Sequence, residues 1–258
     1  MGRRFGQHFL ARKSALDHIA AAACPQPAPL VIEIGPGRGA LTESLLERAE
    51  RVVAIEVDPV LVLYLRQKFR ETIDAGRLTL VEADVLQTDL AQWGAAPIAG
   101  NLPYYITSPI LERVFAASPH WQRAVFLVQA EVAGRLAAGP GSRDYGYLSV
   151  LAQMHARVER LFEVPRAAFR PPPKVDSAVV KLEPRDAAAE FGIVDRAAFL
   201  RFASACFRQK RKTLRNNLAV LYDKAMIDRL PEARLRAEQL SIGDLARLQR
   251  ALATEQSS

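Results

Sequence analysis

Asn101, Leu102, Pro103 and Tyr104 follow a short apolar run, Ala96-Pro97-Ile98-Ala99, that reads as the end of a buried strand. An amide, an apolar residue, a proline and an aromatic at a strand tip can manage the exocyclic amine of a nucleobase. Such an amine is a poor nucleophile, because its lone pair is delocalised into the ring. The Asn101 side-chain oxygen and the Leu102 carbonyl can accept its hydrogens and draw the nitrogen toward a tetrahedral shape. Pro103 fixes the backbone and removes a competing N–H donor. Tyr104 offers a face on which a base can stack. The same four residues also describe a plain Asn-x-Pro turn, so the rest of the chain must decide.

A second group of residues has the spacing of a nucleoside site. Leu30-Val31-Ile32-Glu33-Ile34 is an apolar run ending in Gly35-Pro36-Gly37-Arg38-Gly39, and a helical pattern with Leu41, Leu45 and Leu46 follows. Glycines in a strand-to-helix turn let the backbone approach a ligand closely. Glu56 ends the next apolar run, about twenty residues after Gly35, where a carboxylate can clamp both hydroxyls of a ribose. A structural glycine turn, a dinucleotide site and an S-adenosylmethionine site all fit this much. Ala40 even completes the dinucleotide fingerprint. Asp84 favours S-adenosylmethionine: with Val85 behind it, it stands beyond a third strand, placed to accept from an adenine amine while the next N–H serves the ring. A dinucleotide site has no need of that carboxylate, and hydride transfer has no role for the Asn101 tetrad.

The elements that position these residues alternate. Val52–Val57, Leu78–Val81, Ala96–Ala99 and Ala124–Val128 read as further strands. Pro59 can open a helix through Leu61, Leu65 and Phe69, and Glu131–Leu136 reads as another helix. The alternation predicts an α/β fold, an open Rossmann-like parallel sheet with every motif at a strand's carboxyl end. Leu148–Val164 reads as helix then strand, and Ser177–Leu182 as a strand. Beyond an Ala- and Asp-rich linker, Pro184–Glu190, the chain reads helical, most clearly over Arg196–Leu221 and Leu235–Leu252. These patterns predict a catalytic domain over residues 1–186 and a smaller all-helical domain over 187–258.

Composition narrows the class. The chain has 258 residues, half of them hydrophobic, enough for a large core. Cys24 and Cys206 lie far apart and the four histidines form no ligand cluster, so no metal site is expected and a reduced, cytoplasmic protein is. No apolar run is long enough for a membrane helix. The net charge of +7 favours a polyanionic partner. Between Asp195 and Asp223 no acid occurs, yet Arg196, Arg201, Arg208, Lys210, Arg211, Lys212 and Arg215 do. The first residues add Arg3, Arg4, Arg12 and Lys13.

Over nearly its whole length the sequence resembles the small-subunit ribosomal RNA adenine dimethyltransferases linked to kasugamycin sensitivity. The residues that carry the resemblance are Gly6 to Leu10, Glu33 to Thr42, Glu56 to Asp58, Ala83 to Leu86 and Gly100 to Tyr104. The more specific pieces are Phe169 to Val179, with its Arg170-Pro171-Pro172-Pro173-Lys174 core, and Phe207 to Leu218. The resemblance implies a class I methyltransferase fold with S-adenosylmethionine as cofactor. It implies that His8, Leu10, Gly35, Gly37, Glu56, Asp84, Val85 and Asn101 bind that cofactor. Asn101, Leu102, Pro103, Tyr104 and Phe169 are implied to handle the base, with Tyr104 and Phe169 sandwiching it. Position 8 is usually asparagine in the family; an imidazole replaces one amide hydrogen bond but not two. Arg208, Lys210, Arg211, Lys212 and Arg215 are expected to bind RNA, against the alternative of a solvated helix face. The implied partner is 16S rRNA in the small ribosomal subunit or its precursor. The implied product is N6,N6-dimethyladenosine at two adjacent adenines of the 3′-terminal hairpin, made by a monomer.

The expected chemistry is in-line displacement on an unstacked base, driven by alignment and electrostatics without a metal or covalent nucleophile. Two readings compete with it. One is a large-subunit rRNA adenine methyltransferase of the antibiotic-resistance type. Against it stand Pro36, Leu102 and the Arg/Lys-rich stretch after Phe207. The other is a ribosome-assembly factor whose main task is binding.

Overall fold

The computed structural model describes residues 8–117 and 119–256. Gly6, Gln7, Arg3 and Arg4, named above, lie outside the described residues. In chain order the strands are β1 (Phe9–Leu10), β2 (Val31–Ile34), β3 (Val52–Glu56), β4 (Leu78–Glu82), β5 (Ala96–Asn101), β6 (Trp121–Gln129), β7 (Ala156–Val164), β8 (Phe169–Arg170) and β9 (Ser177–Pro184). The helices are α1 (Lys13–Ala23), α2 (Ala40–Leu46), α3 (Pro59–Lys68), α4 (Arg70–Asp74), α5 (Thr107–Ala116), α6 (Ala130–Ala137), α7 (Tyr147–His155), α8 (Ala187–Phe191), α9 (Arg196–Cys206), α10 (Leu214–Leu218), α11 (Lys224–Asp228) and α12 (Ile242–Gln256).

Seven strands form one mixed sheet in the order β4-β3-β2-β5-β6-β9-β7. β2 pairs in parallel with β3 on one side and β5 on the other, and β6 pairs antiparallel with β9. β2 and β3 are buried at every position, as strands covered on both faces must be. Val31, Val52, Ala54, Leu127 and Val179 share a core with Leu16 and Ile19 of α1, Leu41 and Leu45 of α2, and Leu65 of α3. The alternate residues Ile32, Ile34, Val53, Ile55 and Phe126, equally buried, point to the other face. The chain runs outward from β2 through β3 to β4, then returns to β5. That reversal opens a crevice at the carboxyl ends of β2 and β5.

The chain divides into two compact units, residues 8–133 with 158–184, and residues 134–157 with 185–256. The second unit therefore takes in residues 134–157, which the sequence pattern assigned to the first domain. Val150 and Met154 of α7 are the reason, since they belong to the same core as Phe199, Phe202, Leu214, Leu218 and Leu245. The single boundary expected near residue 186 is thus three chain crossings.

Two expected helices are shorter than their patterns. Arg196–Leu221 is broken, because α9 ends at Cys206 and the chain turns before α10. The buried Asn217 side chain holds that turn: Nδ2 donates to the carbonyls of Cys206 (2.7 Å) and Gln209 (3.1 Å), and Oδ1 accepts from Gln209 N–H (3.2 Å). Leu235–Leu252 becomes regular helix only at Ile242. Before it, Ser241 and Asp244 close a capping box: Ser241 N–H donates to Asp244 Oδ2 (2.9 Å) and Asp244 N–H to Ser241 Oγ (3.1 Å). The Asn217 hydrogen bonds yield a prediction. Asn217→Ala leaves buried polar groups unpaired and should cost about 3 kcal/mol of stability, read as a lower urea midpoint. An unchanged midpoint would show that the turn holds without it.

Candidate active site

A cavity of about 260 Å³ occupies the crevice at the ends of β2, β3, β4 and β5. Strand register puts its components level: Ile34 pairs with Gly100, Ile34 with Ile55, and Glu56 with Glu82. Gly35, Gly37, Glu56, Asp84, Val85 and Asn101 therefore converge although they are scattered over the sequence, and all of them line the cavity.

The floor is the turn after β2. Gly37 has φ +59°, and a Cβ there would lie 3.0 Å from the Phe9 ring. Its N–H donates to Glu56 Oε2 at 3.1 Å. Glu56 Oε1 accepts from Val57 N–H and Asp58 N–H, both at 3.0 Å. Burial raises the Glu56 pKa, and these three bonds oppose the rise. Three of about four acceptor positions on the carboxylate are thus filled. A ribose diol would find one open and must share or displace a backbone donor for the second. Asp84 is exposed; its Oδ1 accepts from Leu86 N–H at 2.9 Å, and among the described residues its Oδ2 has no partner.

The acceptor end is built around Asn101. Its Nδ2 donates to the His8 carbonyl at 3.1 Å. A carbonyl can only accept, so this bond fixes which way the amide faces and leaves Oδ1 as the acceptor. Gly100 permits the approach: a Cβ there would sit 2.5 Å from the Ile34 carbonyl oxygen. Leu102 N–H is held by the Leu127 carbonyl at 3.0 Å. The Tyr104 hydroxyl and Ser177 Oγ are 2.7 Å apart, which pins the ring. His8 Nδ1 lies 2.9 Å from the Pro171 carbonyl, so Nδ1 carries a proton. The His8 ring lies nearly parallel to Tyr104, centroids 6.2 Å apart.

Phe169 is a correction. Its ring is fully buried in the sheet's core and does not line the cavity. The cause is a ladder that the sequence did not suggest: β1 pairs antiparallel with β8, setting Leu10 opposite Phe169 and Phe9 opposite Arg170. In that register Arg170 faces out and Phe169 faces in. Leu10 lines the cavity. Tyr105, 64% exposed, also lines it and was missed, as was Glu33.

Glu33 is 1% exposed, and Thr42 Oγ1 donates to its Oε2 at 2.6 Å. Burial above all, with a smaller push from Glu56, raises its pKa to about 8. The cavity thus carries three carboxyl groups, Glu33, Glu56 and Asp84. Among the described residues its one lining guanidinium, Arg38, sits 4.9 Å from the centre of the Phe9 ring. A diphosphate would meet carboxylates there. The charge balance fits a cationic nucleoside such as S-adenosylmethionine, which Gly35, Gly37, Glu56, Asp84 and Val85 would hold. Among the described residues no cluster could hold a metal ion, and no helix is long and apolar enough to cross a membrane.

The family model for ribosomal RNA adenine dimethylases matches residues 1–253. The chain belongs to that family. A small-subunit ribosomal RNA methyltransferase A of Acidobacterium capsulatum is 47% identical, the match covering 96% of this chain and 90% of that one. Its counterpart in Pseudomonas putida is 40% identical, covering 99% and 96%. Among solved structures, a dimethyladenosine transferase from Plasmodium falciparum superposes with TM-score 0.79 at 25% identity, covering 96% and 98%. The 23S rRNA methyltransferase ErmE gives 0.67 at 27% identity, covering 95% and 99%. As a member of the family, the protein is an S-adenosylmethionine-dependent rRNA adenine dimethyltransferase with a class I methyltransferase fold.

In the helical unit, Arg208, Lys210, Arg211 and Lys212 are exposed in the turn after α9. The Lys210 ammonium donates to the Arg143 carbonyl, and Arg215 forms a two-point ion pair with Asp228, its Nη2 2.9 Å from Oδ2. Arg215 is therefore committed within the unit. Among the described residues Arg208, Arg211 and Lys212 have no acidic partner. At the other end, Lys13 is held by Asp17 and Glu47.

The buried Glu33 carboxyl makes stability depend on pH. Below about pH 4.5 the group is protonated whether the chain is folded or not. Between about 4.5 and 8 the unfolded chain ionises while the folded one keeps its proton, so stability falls across that window. Glu33→Gln should remove that component, flattening the midpoint-against-pH curve from pH 5 to 8 relative to the parent. Parallel curves would contradict the burial argument.

Proposed function

We propose that this enzyme methylates N6 of two adjacent adenines in the 3′-terminal hairpin of 16S rRNA. It does so on the assembling small subunit, as a cytoplasmic monomer, and leaves each base dimethylated. Curated relatives at 40–47% identity over nearly the whole chain carry small-subunit names, while the 23S enzyme stands at 27%. The observation that carries the chemistry is the Asn101 amide. With Nδ2 held by His8, Oδ1 is left as an acceptor in a cavity that Tyr104 also lines.

In this reading the target adenine leaves its stack and lies against Tyr104. Asn101 Oδ1 and the Leu102 carbonyl take its two amine hydrogens and shape the nitrogen for attack. Pro103 presents no competing N–H. Bound S-adenosylmethionine supplies a methyl group on a cationic sulfur that leaves as a neutral thioether. The displaced amine proton passes to water. The product keeps one N–H, so after rotation one of these acceptors can orient it for a second transfer. Rate arises from alignment and fixed dipoles rather than from a titrating base.

Two expectations follow for RNA. Asn101→Ala should lower methyl transfer by at least about a hundredfold, the scale of a missing positioning donor or acceptor, with RNA affinity within about twofold of the parent. Near-normal turnover would remove Asn101 from its role. Neutralising Lys210, Arg211 and Lys212 together should weaken RNA binding and flatten the log-affinity against log-salt line, by about 0.7–0.9 for each phosphate that is no longer neutralised. An unchanged slope would assign this turn to solvent.

A further inference from the structure

The helical unit contains a groove of about 630 Å³ that shares no residue with the methyl-donor cavity. It is lined by Arg201 on the outer face of α9 and by Arg208 in the turn just beyond the end of that helix. Between them lie the small residues Ser204 and Ala205. Tyr222 and the half-exposed Leu221 also line it, and α12 contributes Gln249. The edge of Phe202 meets the Tyr222 ring at 77°, centroids 6.3 Å apart, and holds it against the core.

Several arginines of the unit are already ion-paired. Arg196 is paired with Asp186 at 2.7 Å, Arg185 with Glu190, Arg215 with Asp228 and Arg247 with Asp244. Among the described residues Arg201 and Arg208 have no acidic partner, and no carboxylate lines the groove. Two uncompensated guanidinium groups thus flank a slot with an aromatic wall and a neutral amide. That is the equipment for one unpaired nucleotide: phosphates on the arginines, base against the tyrosine, base edge on the glutamine.

We propose that this groove is a second RNA site, taking a single-stranded nucleotide of the substrate apart from the adenine to be methylated. The proposal rests on the rRNA reading above and adds a named binding site to it. A duplex cannot use the slot, because its bases are stacked inside.

The test uses the full chain and two labelled probes, a short oligouridylate and an RNA duplex. Oligouridylate contains no adenine to enter the methyl-acceptor site. Tyr222→Ala should weaken oligouridylate binding about tenfold and leave duplex binding unchanged. Tyr222→Phe keeps the ring and should bind like the parent, which separates stacking from a folding defect. Arg201→Gln and Arg208→Gln, both on an exposed face, should each lower the salt slope for oligouridylate by about 0.7. Equal losses on both probes, or no loss on either, would overturn the groove as a single-strand site. So would failure of the parent protein to bind oligouridylate. Methyl transfer to small subunits, measured beside these assays, reports on the rRNA reading separately.

Discussion

The hydrogen bond from the Asn101 side chain to the His8 carbonyl is the interaction on which the site depends. It joins the segment before β1 to the tip of β5. It also fixes the amide so that its oxygen, not its nitrogen, is offered to a substrate amine. Each partner is held from behind. Gly100 lets β5 lie close against β2, and Leu102 is tied to β6 through the Leu127 carbonyl. The β1–β8 ladder and the bond between His8 and Pro171 hold the other side. The acceptor is preorganised by main chain, which cannot change rotamer, so little reorganisation is needed when the amine arrives.

The donor side obeys a different constraint. Three carboxyl groups around one small cavity would repel one another if all were charged. Burial resolves this for Glu33 by keeping its proton up to about pH 8, and backbone N–H groups resolve it for Glu56. Asp84 stays in solvent. The result is a negative but not overloaded pocket, suited to a cationic cofactor and hostile to a diphosphate.

Much of this was legible in the sequence, for a physical reason. Strands buried on both faces are mostly apolar runs, so β2, β3 and the end of β5 announce themselves, and the residues just beyond them form the cavity. Features set by distant pairing were not legible. Nothing near Phe169 says that Leu10 pairs opposite it in a ladder that turns its ring inward. The Arg196–Leu221 pattern does not show that Asn217 reaches back to end α9. Residues 134–157 look like a continuation of the sheet domain until Val150 and Met154 find their core partners. The signal before α12 was local, a Ser241-x-x-Asp244 capping box, and was there to be read. Of the five basic residues expected to meet RNA, Arg215 is ion-paired with Asp228. Arg201, one more base in the same acid-free stretch, joins Arg208 beside Tyr222.

The central claim is that Asn101 and its neighbours methylate adenine in small-subunit rRNA. The direct measurement supplies labelled S-adenosylmethionine to unmethylated small and large ribosomal subunits in parallel, then digests the RNA to nucleosides. Label in N6,N6-dimethyladenosine from the small subunit alone is the expected result. Label only from the large subunit, or none from either with cofactor binding intact, would contradict the account.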